Sequence, residues 1–427
     1  MAVNKKDKFK RFVSLHKKDI IIVSLILVAV TVAVVAFSVG FTSISNKEEG
    51  VYEVEVERDE DLSGYQKDFT FFYYFEGSSS EINSKQKALS ELYSNHLKVS
   101  YASFNSSIHV NNYTNIYDIN AHIGEEMMVS EFLYGYIKRA YEYSLIYDNY
   151  SLFAAPYYQY WNNMFTKDQD YQSLYDPSKN EENRLYLQHL NDILLDESNY
   201  SITFNEERHS IKVDISQAYK DFIANESFID DIFPVISINI LEDSFTLDYL
   251  QGVLENNGYD KGYISNLDGE FIVLKQMPDV YAYLYDKQDN NIYLYGSMHF
   301  ENNFYWSQNR KYEITKRNIS PFYSVKVDGE EIYRSRYIDI STGYPNDYLI
   351  TSTVYAPEGG IDLSILVNNE LLKGYDLSQV KDIYQNYCDK VGLVFTIKNT
   401  PKEAYCSTKN KDYVTIYENL QYNVNII

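Results

Sequence analysis

Cysteine is almost missing from this chain: two in 427 residues, Cys388 and Cys406. So low a number excludes a disulfide-built scaffold, and no Cys-x-x-Cys zinc pattern is present. Two readings of the pair stand, one structural bridge in an oxidising compartment or two independent thiols. Basic charge is scarce too, with 38 lysines and arginines against 61 aspartates and glutamates, a formal charge of −23. That balance argues against a nucleic-acid partner. The seven histidines (His16, His96, His109, His122, His189, His209 and His299) recur at no metal-ligand spacing. There is no Gly-x-x-x-x-Gly-Lys phosphate loop, no Gly-x-Gly-x-x-Gly turn and no Ser/His/Asp arrangement.

One long apolar run is present. Ile20 to Phe41 carries no charge, and at about 1.5 Å per residue it spans roughly 33 Å as a helix, enough for a bilayer core. A cleaved signal peptide has a shorter apolar core, about 7–15 residues, and no cysteine near the end of the run offers a lipid attachment point. Seven basic residues (Lys5, Lys6, Lys8, Lys10, Arg11, Lys17, Lys18) and two acidic ones precede it. By the positive-inside rule the N-terminus stays in the cytoplasm. The expected order is a cytoplasmic basic tail (1–19), a single transmembrane helix (20–41), an acidic stalk (42–68) and an extracytoplasmic domain (69–427). Beyond residue 46 the remaining 31 basic and 59 acidic residues give −28, which suits solubility at a cell surface. The 45 tyrosines accompany abundant Asn, Ile and Lys, a bias of coding as much as of chemistry.

Helix and strand signals are mixed along the domain. Phe69–Phe75 reads as a buried strand, 78–84 as a loop and 85–97 as a helix. The clearest helical stripe runs from Glu125 to about Tyr147 through Val129, Phe132, Leu133, Tyr136, Ile137, Ala140 and Ser144. Residues 166–183 read as a polar excursion, 200–215 as a hairpin with a turn at Glu206-Glu207, 216–228 as a helix and 229–245 as an insertion. A helix over 247–257 ends at Gly258. Strands dominate from 263 to 355, and helices are expected over 361–372 and 377–387. Without strict strand–helix alternation, the fold class is α+β.

Several short motifs follow one another in order. Asp214-Ile215-Ser216-Gln217-Ala218-Tyr219-Lys220 closes the hairpin and opens a helix. Asn266-Leu267-Asp268-Gly269 comes next, then Arg336-Tyr337-Ile338-Asp339-Ile340-Ser341-Thr342-Gly343, and last Ile361-Asp362-Leu363-Ser364-Ile365-Leu366. This succession resembles the ApbE family, the FAD:protein FMN transferases, over roughly residues 69–420. Phe153, Pro156 and Trp161 match packing positions of that family and read as core.

The resemblance implies an ApbE-like fold of mixed sheets and helices, with FAD and Mg²⁺ as cofactors and a threonine of an acceptor protein as the target of FMN. It implies cofactor-binding roles for Asp214, Lys220, Asn266, Gly269, Thr342 and Gly343, catalytic positions at Arg336 and Asp339, and a metal ligand in Asp362. The departures fall on chemistry. Ser216 and Gln217 stand where the family has glycines that let backbone N–H groups approach a phosphate. Asp268 replaces another glycine. Arg336 stands for a histidine and stays protonated, so it is no general base, although it can bind phosphate. Leu366 stands for a threonine ligand of Mg²⁺, an ion that needs oxygen donors. Two functions therefore follow from the resemblance. One is a membrane-anchored flavin transferase. The alternative is a catalytically inactive relative serving as a binding or assembly module of the cell envelope.

Overall fold

The computed structural model describes residues 47–56, 69–167, 169–226, 232–266, 269–277, 280–288, 291–300, 305–310, 312–314, 319–321, 323–335, 337–356, 360–407 and 414–427. The expected membrane span, the cytoplasmic tail, most of the stalk and Arg336 lie outside these residues. Among the described residues no helix is long and apolar enough to cross a membrane.

The α-helices are α1 (Ser79–Phe104), α2 (Ile116–Ala121), α3 (Glu131–Ser144), α4 (Ala155–Phe165), α5 (Gln169–Tyr175), α6 (Glu181–Leu194), α7 (Gln217–Glu226), α8 (Leu241–Asn256), α9 (Gly360–Glu370) and α10 (Leu377–Gln385). The chain divides into two compact units. The described part of the first comprises residues 47–52 and 74–89. There Tyr52 packs on Phe75 with ring centroids 6.2 Å apart, and the Ser79 hydroxyl donates to the Lys47 carbonyl at 2.6 Å.

The second unit holds the rest of the described chain. Its part of the main sheet starts with residues 69–73 of the strand Phe69–Phe75 and continues through Gly262–Asn266, Phe271–Val273, Tyr305–Arg310, Leu349–Ala356, Gly392–Ile397, Glu403–Cys406 and Asn423–Ile426. Neighbours are antiparallel except the last pair, which is parallel. Every residue of Leu349–Ala356 is buried, because both faces of a central strand are covered. The α9 helix packs on this strand, on Tyr305–Arg310 and on α8. Leu349, Val354, Val367, Leu371, Val380, Leu393 and Phe395 form one apolar cluster, each such burial contributing roughly 1.5–3 kcal/mol. The expected α+β class is what the chain adopts.

Local expectations changed where tertiary pairing outweighed periodicity. The long helix begins at Glu131, not Glu125, because Ser130 caps it by accepting the Leu133 N–H at 3.1 Å. The preceding Glu126–Met128 is instead a strand, paired with Ser210–Lys212 of the hairpin. The loop expected over 78–84 is mostly the first turn of α1, with Glu81 accepting from the Ser78 N–H and hydroxyl. The polar excursion contains α5 and a fully buried Asp176. The supposed insertion supplies core: Val235, Ile236 and Ile238 are buried, and the Asn120 side chain binds the backbone of Val235 and Ile236. The hairpin and the end of α8 follow expectation, with Gly258 at φ +80 just past the cap. Cys388 and Cys406 are free thiols.

Candidate functional site

Asp214 and Lys220 flank the start of α7. Asp214 pairs with Lys212 across 2.8 Å, and both side chains remain substantially exposed. Between them Ser216 takes the N-cap position. Its hydroxyl accepts the Tyr219 N–H at 3.1 Å and donates to Asn199 Oδ1 at 2.7 Å. The helix end therefore satisfies one of its own orphan amides, and Ser216 and Gln217 place side chains where the resemblance has glycine. Lys220 is exposed on α7.

Asn266 and Gly269 form a closed turn. Asn266 Oδ1 accepts the N–H groups of Gly269 (2.9 Å) and Glu270 (2.7 Å), and its Nδ2 donates to Asp243 of α8 (2.8 Å) and to the Glu270 carboxylate. Gly269 sits at φ +110, a conformation that L side chains rarely adopt. Tyr337 extends the group, its hydroxyl donating to Glu270 Oε1 at 3.1 Å.

The Asp339–Gly343 turn is clasped on every side. The Asp339 carbonyl accepts from the N–H groups of Thr342 (3.2 Å) and Gly343 (2.8 Å). Its carboxylate accepts from the Ser341 N–H (3.0 Å), the Ser341 hydroxyl (2.6 Å) and the Tyr375 hydroxyl (2.6 Å). Burial and then the Asp339 contact push the Tyr375 hydroxyl up to about 12. Gly343 has φ +76, and a Cβ there would lie 2.7 Å from Tyr157; its carbonyl accepts from Trp161 Nε1 at 2.8 Å. Thr342 is exposed, with its hydroxyl turned to the Asp339 carbonyl at 3.2 Å. Buried Asn149 ties the turn to α9. Its Nδ2 donates to the carbonyls of Ile338 (3.2 Å) and Asn369 (2.6 Å), and its Oδ1 accepts the Ile340 N–H (2.9 Å).

Asp362 sits in the first turn of α9 and is 1% exposed. Its Oδ2 accepts from the Arg139 guanidinium and the Tyr143 hydroxyl, both on α3. Arg139 also donates to Asp248 of α8 at 2.9 Å and to the Tyr143 hydroxyl at 3.0 Å. Burial opposes charge on Arg139, but Asp362 and its neighbours outweigh it and hold the guanidinium more firmly protonated than usual. Burial, then Asp362, raises the Tyr143 hydroxyl well above its ordinary value. Leu366 lies 1% exposed in the core, and Ser364 donates to the Tyr305 carbonyl at 3.2 Å.

Among the described residues, a cleft of about 550 Å³ is bordered by Asp286, Glu330, Glu331, Tyr333 and Lys398. A second, of about 290 Å³, is bordered by Tyr147, Tyr150, Phe153, Tyr200, Ile340 and Ser341. Neither is lined by Asp214, Lys220, Asn266, Gly269, Asp339, Thr342, Gly343 or Asp362. The second reaches the Asp339–Gly343 turn at Ile340 and Ser341. Asn266 reaches α8 directly at Asp243, whereas Asp362 is linked to Asp248 of α8 only through the Arg139 guanidinium.

Several partners in these contacts were not legible in the sequence. Arg139 and Tyr143 stand four apart on α3, beside the expected apolar stripe, yet Asp362 is 223 residues from Arg139. Asn149 lies between α3 and α4, outside every motif, yet its side chain reaches Ile338, Ile340 and Asn369. Arg334 and Asp176 form a fully buried pair, with Arg334 Nη2 2.8 Å and Nε 3.1 Å from the carboxylate oxygens. That guanidinium also lies 5.0 Å from the centre of Trp161 and 5.7 Å from that of Tyr344.

No protein-family model matches the chain, and no curated protein matches it. Solved structures do. The ApbE protein of Thermotoga maritima aligns with a TM-score of 0.54 at 15% identity, over 81% of this chain and 94% of that one. The flavin transferase ApbE of Vibrio cholerae gives 0.50 at 11%, over 81% and 95%. The flavinyl transferase ApbE of Pseudomonas stutzeri gives 0.51 at 10%, over 82% and 92%. The chain has a divergent ApbE-like fold. Identities this low establish the fold and leave the chemistry to the residues.

Set within the ApbE-like fold, the residues do not fit the Mg²⁺ that the resemblance implies. A guanidinium already neutralises Asp362 Oδ2, and leucine stands where an oxygen donor is needed. Among the described residues no group of three or more His, Cys, Asp or Glu is arranged to hold a metal ion. At α7 the Ser216 hydroxyl takes the Tyr219 N–H and the Gln217 amide donates to Asp221 at 2.8 Å, so side chains stand where the resemblance has glycine.

Proposed function

We propose that this chain is an ApbE-fold protein of the cell envelope, anchored by Ile20–Phe41, whose domain works as a binding or assembly module without metal-dependent FMN transfer. The carrying observation is the capped start of α7: at the helix end that the resemblance assigns to the phosphates, the Tyr219 N–H is taken by the chain's own Ser216. The full-length protein, incubated with FAD, Mg²⁺ and a threonine-bearing acceptor, is expected to leave the acceptor free of covalent flavin and to release no FMN. A fluorescent flavin band on the acceptor would overturn the reading.

The second reading is a membrane-anchored FAD:protein FMN transferase with Asp339 and Arg336 at the chemical step. One observation favours it. The cleft beside Ile340 and Ser341 carries Tyr147, Tyr150, Phe153 and Tyr200, aromatic walls of the kind that small-molecule sites use. Tight quenching of FAD fluorescence, lost on Tyr200→Ala, would support it.

The proposed topology places residues 1–19 in the cytoplasm and 69–427 outside. Cys388 is partly exposed, so a membrane-impermeant maleimide should label it on intact cells. Labelling that appears only after lysis would reverse the orientation.

A further inference from the structure

We infer that Arg139 is a resident cation standing in for a divalent ion, and that its removal uncovers a two-carboxylate site for a hard metal such as Mg²⁺ or Ca²⁺. The inference rests on the reading that this chain has left metal-dependent transfer. It adds that the loss came by substitution of the charge and not by loss of the anionic frame.

The geometry is specific. Asp248 comes from α8 and Asp362 from α9, helices that pack together. Each places an Oδ2 on the same guanidinium, Asp248 on Nη1 at 2.9 Å and Asp362 on Nη2. Two carboxylates directed at one point repel unless a cation lies between them. The guanidinium's place is fixed from the side as well. Its centre is 5.3 Å from that of Phe245 and 5.8 Å from that of Tyr143, and Tyr143 donates to the same Asp362 oxygen.

A second observation points the same way. Asp362 Oδ1 is buried and makes no hydrogen bond. A buried carboxylate oxygen without a partner is costly. A monovalent guanidinium between two aspartates leaves one negative charge, whereas a divalent ion would leave none and could engage further oxygens of Asp362 and Asp248. Arg139 and Asp248 are 34% and 32% exposed, so an ion has a path from solvent once the arginine is gone.

The experiment compares melting temperature in EDTA with that in millimolar Mg²⁺ or Ca²⁺, on the full-length protein. Wild type should not respond. Arg139→Ala should melt lower in EDTA and regain several degrees with the cation, saturably. Asp362→Asn in the Arg139→Ala background should abolish the regain. If Arg139→Ala does not fold in EDTA, refolding that succeeds only with the cation supports the inference. If it folds in neither buffer, Arg139→Gln keeps the apolar stem and is read in the same way. A variant that responds no more than wild type sinks the inference. So does a wild-type response lost on Asp362→Asn, since the ion would then displace Arg139. None of these readouts depends on flavin, so they separate from the transfer assay above.

Discussion

The Asp339–Gly343 turn and the Asp214–Lys220 junction are both motif segments, but the fold treats them differently. In the turn every matched residue has an internal task. Asp339 binds Ser341 and Tyr375, Thr342 leans on the Asp339 carbonyl, and Gly343 makes room for Tyr157. At the junction Asp214 and Lys220 face solvent, and only the unmatched Ser216 holds the helix. A motif residue with an intramolecular role is retained by the architecture itself. A position whose use is to hold a ligand is free to change once the ligand is no longer needed. Agreement at the turn therefore follows from the fold, and under the proposed reading the departures at α7 and Leu366 follow from a ligand no longer held.

The sharpest way to break this contrast is to attack what supports the turn. Arg334→Leu leaves Asp176 charged and buried, so stability should fall by roughly 3–5 kcal/mol, measured by urea unfolding. An unchanged midpoint would mean that the buried pair does not brace the turn. Gly343→Ala adds a Cβ against Tyr157 at positive φ and should cost about 1–3 kcal/mol. If it is neutral, the turn is looser than its hydrogen bonds imply. Ser216→Ala removes the α7 cap and should cost about 1 kcal/mol, while Ser216→Gly should cost only a few tenths.

Glu370 tests the clasp by pH. Burial raises its pKa, against opposing effects of the Asn149 N–H and Lys373. Its folded value thus lies above its unfolded one, so its stabilising contribution is complete below the unfolded value and is lost as pH rises through the folded one. Glu370→Gln should remove that loss, and its melting temperature relative to wild type should climb between mildly acid and neutral pH. A pH-independent difference would contradict this sign. The smallest effect is expected at the junction, where Lys220→Ala should change stability by less than about 0.5 kcal/mol. A larger cost would give Lys220 a structural partner and erase the contrast.

By itself the sequence determined the fold class, the hairpin, the α8 end at Gly258 and the order of motifs that resembles ApbE. These depend on local periodicity and turn chemistry, which neighbouring residues carry between them. It determined also which glycines, which histidine and which threonine were replaced. Only the tertiary structure decided where the retained side chains went. Asp362 reads as a metal ligand until Arg139 arrives from another helix, and Asp176 reads as surface until Arg334 closes over it. Charges and hydrogen bonds act across space at a few ångströms whatever their distance along the chain, and no local pattern records which partner will be near.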